Sequence, residues 1–299
     1  MAEWYVRRGR LIARAQFEAE IASLKTTKTL AIKALAFNVL KHDIPVAITN
    51  RMPAKPFGVL FSGGLDSTLI AVVCKRAAAP FTCYTVGLKA AGLKASEDIE
   101  WATKVAHELR LDHRIILLSL EDAGRLFART ARVLGPDLLT VVNVGVGAVG
   151  LAGLEAAKRD GHRAVFSGLG SEEIFAGYER HRRAADVQAE CWRGLAGMYG
   201  RDLRREAAIS ASAGVEVLTP FLDKNLIRDA MEVAPALKVR GDVTKYILRE
   251  VAASLGVPAP VTRRKKRAAQ YGSRLDRALE IVAKRHGAGK DSFVRRGCR

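Results

Sequence analysis

The sequence predicts an α/β fold in which a doubly wound parallel sheet is followed by a helical C-terminal portion. Short apolar runs rich in β-branched and aromatic residues alternate with helix-period segments between Phe57 and Phe166. Two of those runs end in glycine turns that open helices, as strands of a sheet covered on both faces do. Beyond about Phe175 the strand signals vanish, and polar joints at Gly200, Pro220, Pro235 and Pro258 separate helical stretches.

Taken in order, Thr29 to His42 repeats apolar residues at helical spacing and is expected to stop near Pro45, which cannot continue a helix. Phe57–Phe61 (FGVLF) reads as a strand, SGGLDS as a turn and Thr68–Ala78 as a helix. Phe81–Leu88 is a second strand, Ala95–Leu109 a helix and His113–Leu118 a third strand. A helix over Leu120–Leu134 and the uncharged stretch Leu138–Leu154 precede a fourth strand, Arg163–Phe166, which ends in SGLGSEE. The expected organisation is a helical lead-in over 1–55, an α/β core over 56–178 and a helical portion with a basic tail over 179–299.

Of 299 residues, 49 are Lys or Arg and 31 Asp or Glu, a net charge of +18, while 49% are hydrophobic. That balance excludes wholesale disorder and supplies enough apolar surface for a large core. Cys74, Cys83, Cys191 and Cys298 form no CxxC pair, which argues against a zinc module or disulfide scaffold and for a reducing, cytoplasmic setting. The N-terminus has charges where a signal peptide needs an apolar centre. Leu138–Leu154 is long enough to invite a membrane reading, but its polar and small residues favour a buried helix. The last 37 residues carry +10 of the net charge.

Chemistry concentrates in two turns. In Ser62-Gly63-Gly64-Leu65-Asp66-Ser67 the glycines let backbone approach an anion, and the helix start attracts phosphate oxygens. Ser62 and Ser67 can donate to phosphate. Asp66 would repel a bare anion and is better read as a ligand of Mg²⁺ accompanying a nucleotide. The Walker A lysine is absent, so this is a different phosphate loop. The second turn, Ser167 to Gly170, opens a helix carrying Glu172 and Glu173. Both turns follow parallel strands and are expected to face one crevice, where Asp66 and Glu172 could share Mg²⁺. The plainer readings are a capping Asp and helix-dipole complementation by the glutamates. His181 is the histidine close enough to the second turn to be considered for the crevice. The tryptophans are most simply packing residues.

SGGLDS resembles the pyrophosphate-binding loop of the adenine nucleotide alpha-hydrolase, or N-type ATP pyrophosphatase (PP-loop), superfamily. The chain as a whole is similar to the C-terminal synthetase domain of glutamine-dependent asparagine synthetases. The matching segments are SGGLDS, TVG at Thr85, SGLGSEEIFAGY at Ser167, GVEVLTPFLD at Gly214, TKYILRE at Thr244 and RRKKRAAQYGS at Arg263. With the leading helix they span Thr29 to Ser273. GYERHR and KRAAQYGSRL are closest in wording to asparagine synthetase domain-containing proteins.

The resemblance implies a fifth parallel strand and ATP as cofactor. Adenine would lie near Leu60, Val86 and the Ser167 and Gly168 backbone, with phosphates held by Ser62, Gly63, Gly64, Asp66 and Ser67. Asp66 and Glu172 would hold Mg²⁺, and Lys245 would stabilise charge as a carboxylate, nominally aspartate, attacks the α-phosphorus. Pyrophosphate would leave, and ammonia or another amine donor would open the acyl-adenylate. Departures from the family pattern accompany these matches. Fewer than thirty residues precede Thr29, with no cysteine before Cys74, so no glutaminase domain is expected in the chain and a separate glutaminase subunit is a candidate partner. Leu169 replaces a glutamate that helps deprotonate ammonia, Glu172 replaces an aspartate, and Leu218 replaces an arginine. The basic run Arg263, Arg264, Lys265, Lys266 and Arg267 suits either pyrophosphate at the crevice or RNA, without interleaved aromatic residues for stacking. The alternatives are adenylation of a tRNA or other metabolite, and an ATP-binding regulatory protein that lost catalysis at Leu169.

Overall fold

A computed structural model describes residues 5–90, 96–264 and 268–298. Its centre is a five-stranded parallel sheet preceded by a two-stranded hairpin, β1 (Val6–Arg7) and β2 (Arg10–Leu11). Arg8 and Gly9 both have positive φ, 48° and 73°, the backbone a two-residue hairpin turn requires. The sheet consists of β3 (Phe57–Leu60), β4 (Phe81–Leu88), β5 (His113–Leu118), β6 (Ala164–Phe166) and β7 (Glu216–Leu218), in the order β5-β4-β3-β6-β7. From β3 the chain builds outward through β4 to β5, then crosses back to lay β6 against the other side of β3. The order therefore reverses between β3 and β6, which opens a crevice at their carboxyl ends.

Alternation along the strands assigns the two faces. Phe57, Val59, Cys83, Phe166 and Leu218 point into one core with helices Lys33–Thr49 and Leu65–Arg76. Tyr84, Val86, Val165 and Val217 point into the other, with helices Leu120–Leu134, Val141–Arg159 and Leu275–Arg285. Both faces are covered, as the near-continuous apolar strands require.

The four strands and the helices read from the sequence agree with these elements to within a few residues. Three differences have physical causes. The leading helix runs through Pro45 to Thr49, because five buried residues on one face, from Ala36 to Ile48, hold it against the sheet despite the lost backbone donor. The fifth strand is Glu216–Leu218, a three-residue segment inside the portion read as helical; paired to β6 at Ala164, Val165 and Phe166, it is too short to show a period of its own. The hairpin at Val6–Leu11 was masked by its arginines.

Among the described residues one helix, Val141–Arg159, is long and apolar enough to cross a membrane, and 67% of its apolar window is buried inside the fold. Its glycines are close-packing positions. A Cβ on Gly150 would lie 2.7 Å from Ile209 Cδ1, and one on Gly153 2.5 Å from Leu60 Cδ2. The absence of side chains lets this helix lie directly on β3 beside the crevice.

Candidate active site

The crevice is a cleft of roughly 750 Å³ at the carboxyl ends of β3 and β6. Leu60, Ser62, Gly64, Asp66, Ser67, Val86, Ser167, Gly168, Glu172 and Lys245 all line it. Gly63 lies just behind the lining. Its φ of +65° and the 2.8 Å that a Cβ would leave to Trp101 Cδ1 both require glycine. Its carbonyl accepts a hydrogen bond from Trp101 Nε1 at 2.7 Å. Ser67 Oγ donates to the Gly64 carbonyl at 3.3 Å, and Gly64 N donates to Ser62 Oγ at 3.2 Å, so the loop is folded on itself around its two hydroxyls.

The two turns touch. A Cβ on Gly168 would stand 2.9 Å from Asp66 Cβ, so only glycine lets the second turn come this close to the first. Ser171 Oγ donates to Asp66 Oδ1 at 2.7 Å. Lys245, only 4% exposed, reaches in between them. Its Nζ lies 2.7 Å from Asp66 Oδ2, 2.8 Å from Glu172 Oε1 and 2.9 Å from Ser171 Oγ. Burial pulls the Lys245 pKa down, but Asp66 and Glu172 outweigh it and hold the ammonium above its ordinary value. Lys245 precedes helix Tyr246–Ser254 in left-handed backbone (φ 54°), which turns its side chain inward.

Asp66 and Glu172 thus share one cation, the Lys245 ammonium. The longer arm of Glu172 is accommodated by Gly177, where a Cβ would stand 1.7 Å from Glu172 Oε2 and 2.4 Å from Lys245 Cε. Among the described residues no group of three or more His, Cys, Asp or Glu side chains forms a metal cage. Two carboxylates completed by phosphate oxygens and water are the usual setting for Mg²⁺ with a nucleotide.

Other sequence expectations fall differently. Leu169 is half-buried on the cleft wall. Leu218 is buried in the core and is not among the residues that line the cleft. His181 is fully buried and outside the lining. Its Nδ1 accepts from Tyr178 N at 3.0 Å, and burial together with Arg180 pushes its pKa down to about 4. Of the basic run, Arg264 turns inward, donating to the Ser62 carbonyl and to Asp98 Oδ1 at 3.3 Å each and lying 5.0 Å from the Trp101 ring centroid. Lys265, Lys266 and Arg267 lie outside the described residues.

Sequence reasoning did not single out Trp101, Gly177, Arg249 or the group Arg201, Asp202, Arg205 and Glu206. Arg249 lines the cleft and donates to the carbonyls of Thr244, Thr262 and Arg264, tying both C-terminal segments to the site. The other group lines the same cleft, and a π-helical turn, Tyr199–Leu203, presents its first members. Burial raises the pKa of Glu206 there, opposed by Arg205.

Comparison with known proteins follows the same contour. A model of the asparagine synthase family matches residues 42–189 and 182–290, taking in every element named above as part of the cleft. A Methanocaldococcus jannaschii protein that bears the name asparagine synthetase 1, glutamine-hydrolysing, is 29% identical over 78% of this chain and 48% of its own length. The nodule asparagine synthetase of Pisum sativum is 30% identical, and asparagine synthetase 2 of Oryza sativa 31%, each over 71% of this chain and 38% of the relative. The chain therefore spans about half or less of the length of the curated relatives it matches. Among solved structures, an NMN synthetase from Francisella tularensis aligns at 14% identity over 88% of this chain and 93% of its own, with a TM-score of 0.44. With the family model spanning both glycine turns, Lys245 and Arg264, the chain belongs to the asparagine synthase family.

Proposed function

We propose that the protein is an ATP-dependent synthetase that adenylates a carboxylic acid, releases pyrophosphate and passes the acyl group to ammonia, with aspartate the first acceptor to test. The observation that carries this reading is the Lys245 ammonium buried between Asp66 and Glu172, each from a different glycine turn, at the head of one cleft. A fixed cation beside a glycine loop is where a pentavalent phosphorus would gather negative charge. In this reading Gly63, Gly64, Ser62 and Ser67 receive the phosphates, and Leu60, Val86 and the backbone of Ser167 and Gly168 receive adenine. Asp66 and Glu172 would hold the Mg²⁺ that accompanies ATP, which supplies charge neutralisation to the leaving pyrophosphate. Lys245, relieved of part of its carboxylate partnership, would turn its donors to the phosphate oxygens. Arg264, between Ser62 and Asp98, would close the phosphate end.

Pyrophosphate exchange into ATP, screened over acceptor acids, tests adenylation without requiring the nucleophile. Exchange dependent on one acid is expected, and Asp66→Asn should lower it by a factor on the order of a hundred. Exchange in that variant at the unaltered rate would remove the assignment of the loop.

A further inference from the structure

The first glycine turn and Arg264 meet one side chain, at its edge and at its face. Trp101 stands on helix Glu97–Glu108. Its Nε1 donates to the Gly63 carbonyl at 2.7 Å, and the Arg264 guanidinium carbon lies over its ring, 5.0 Å from the centroid. Asp98, one turn earlier on the same helix and 6% exposed, accepts from Arg264 at 3.3 Å, and Arg264 also donates to the Ser62 carbonyl at 3.3 Å. Ser62, Gly64, Asp98 and Arg264 line the cleft, whereas Gly63 and Trp101 are not among the lining residues.

An anion in the turn would be attracted by N–H groups and repelled by carbonyl oxygens. None of the described peptide bonds is cis, so the Gly63 carbonyl and the Gly64 N–H, on the two sides of one peptide plane, point in opposite directions. Tying the carbonyl to Trp101 therefore turns the N–H toward the Ser62 hydroxyl on the cleft wall, to which it donates at 3.2 Å. Gly63, with no side chain, is where this plane could turn over most freely, and a turned plane would present oxygen to a phosphate. The same indole offers its π-face to Arg264, an attraction that holds a guanidinium without consuming its hydrogen-bond donors.

We propose that Trp101 is a positioning residue for the nucleotide phosphates: its N–H sets the 63–64 peptide with hydrogen toward the cleft, and its ring keeps Arg264 beside the turn. The inference rests on the reading of this turn as a phosphate site and adds the residue that keeps it in shape.

Trp101→Phe keeps a ring for Arg264 and loses the N–H; Trp101→Leu loses both. Calorimetric binding of ATP with Mg²⁺, and of adenosine, to the full chain separates phosphate from base recognition, because a general loss of structure weakens both. ATP affinity is expected to fall about tenfold in Trp101→Phe and about thirtyfold in Trp101→Leu, with adenosine affinity held within about twofold. Arg264→Met should cost about fivefold in ATP affinity in the unaltered chain and less than about twofold once Trp101 is replaced by leucine, since the two side chains act together. A measurement on the unaltered chain stands even if neither Trp101 variant folds. With ¹⁵N in the indoles of its three tryptophans, assigned through Trp4→Phe and Trp192→Phe, the Trp101 signal should move on adding ATP with Mg²⁺ and stay in place with adenosine. Where the unaltered chain prefers ATP to adenosine, full ATP affinity in Trp101→Phe, equal losses for the two ligands, additivity with Arg264→Met or a Trp101 signal indifferent to ATP would each overturn the proposal and leave the phosphate reading intact. An unaltered chain that binds ATP no more tightly than adenosine would overturn that reading, and the positioning role with it.

Discussion

Lys245 sets the electrostatics of the cleft, and its worth can be separated into folding and chemistry. Replacing it with Met leaves Asp66 and Glu172 facing each other without their common cation, so a loss of about 3 kcal/mol in urea unfolding is expected. Adding Mg²⁺ with ATP should restore part of that stability while adenylation stays about a hundredfold down. Because its folded pKa is raised, the stabilising pair is fully present below the ordinary lysine range and is lost only as pH rises past the folded value. His181 works in the opposite sense. Held down to about 4 from 6.5, it binds its proton later than the unfolded chain does, so stability drains as pH falls through that interval. Between pH 7.5 and 5 this should cost about 2 kcal/mol, and the loss should largely vanish in His181→Gln; equal losses in both chains would disprove the assignment. Gly177→Ala is the sharpest steric test. Its backbone has no positive φ, so the fold should survive, yet the added methyl would overlap the Glu172 carboxylate, and adenylation should drop at least tenfold. The glycines, serines and Asp66 of the first turn were legible as part of the cleft because a glycine turn between a strand and a helix is written in consecutive residues. Gly177 and Glu206 were not, since the need for one and the partner of the other appear only when distant side chains are brought together. Lys245 carries no local sequence mark of its place in the cleft, and only the resemblance pointed to it.

At the scale of elements, what the sequence concealed is what departs from ideal period. The strand Glu216–Leu218 holds three residues and lies directly after a ten-residue helix, Arg204–Ala213; neither hydrophobic alternation nor length could mark it. Leu138–Leu154 drew attention for its lack of charge, and its glycines were read as dilution of apolar character. In the fold they are the contact points that seat the helix against Leu60 and Ile209. The π-helical turn Tyr199–Leu203 leaves no local signal either. Both Asp202 N and Leu203 N donate to the Met198 carbonyl, at 2.8 and 2.9 Å, so one extra residue is looped into the turn. Arg201 and Asp202 of that turn line the cleft. Deleting Gly200 should regularise the turn and rotate both side chains away. Helical circular dichroism and ATP affinity are then expected to hold, while the acceptor KM rises at least tenfold; an unchanged KM would show that the turn does not serve the cleft.

For the whole molecule, the decisive feature is how far apart in sequence the parts of the cleft lie. Ser62 and Asp66 come from the β3 turn, Glu172 from the β6 turn, Lys245 and Arg249 from a later helix, and Arg264 from beyond it, with Arg264 hydrogen-bonded to the Ser62 carbonyl. The α/β core supplies the loop, and the helical portion supplies the cations. Opening of the C-terminal helices would therefore expose the cleft, and a ligand that needs both halves should suppress that opening. At a hundredfold excess over its dissociation constant, ATP with Mg²⁺ should add about 2.7 kcal/mol to stability. Hydrogen exchange locates where that stabilisation appears. If both halves hold the nucleotide, protection should rise together at amides 62–68, 171–177, 245–250 and 262–264, even though these segments share no secondary structure. Asp66→Asn should abolish the increase in all four. Protection confined to 62–68 would mean that the loop binds phosphate alone and that Lys245 and Arg264 are structural cations, with no part in holding the nucleotide.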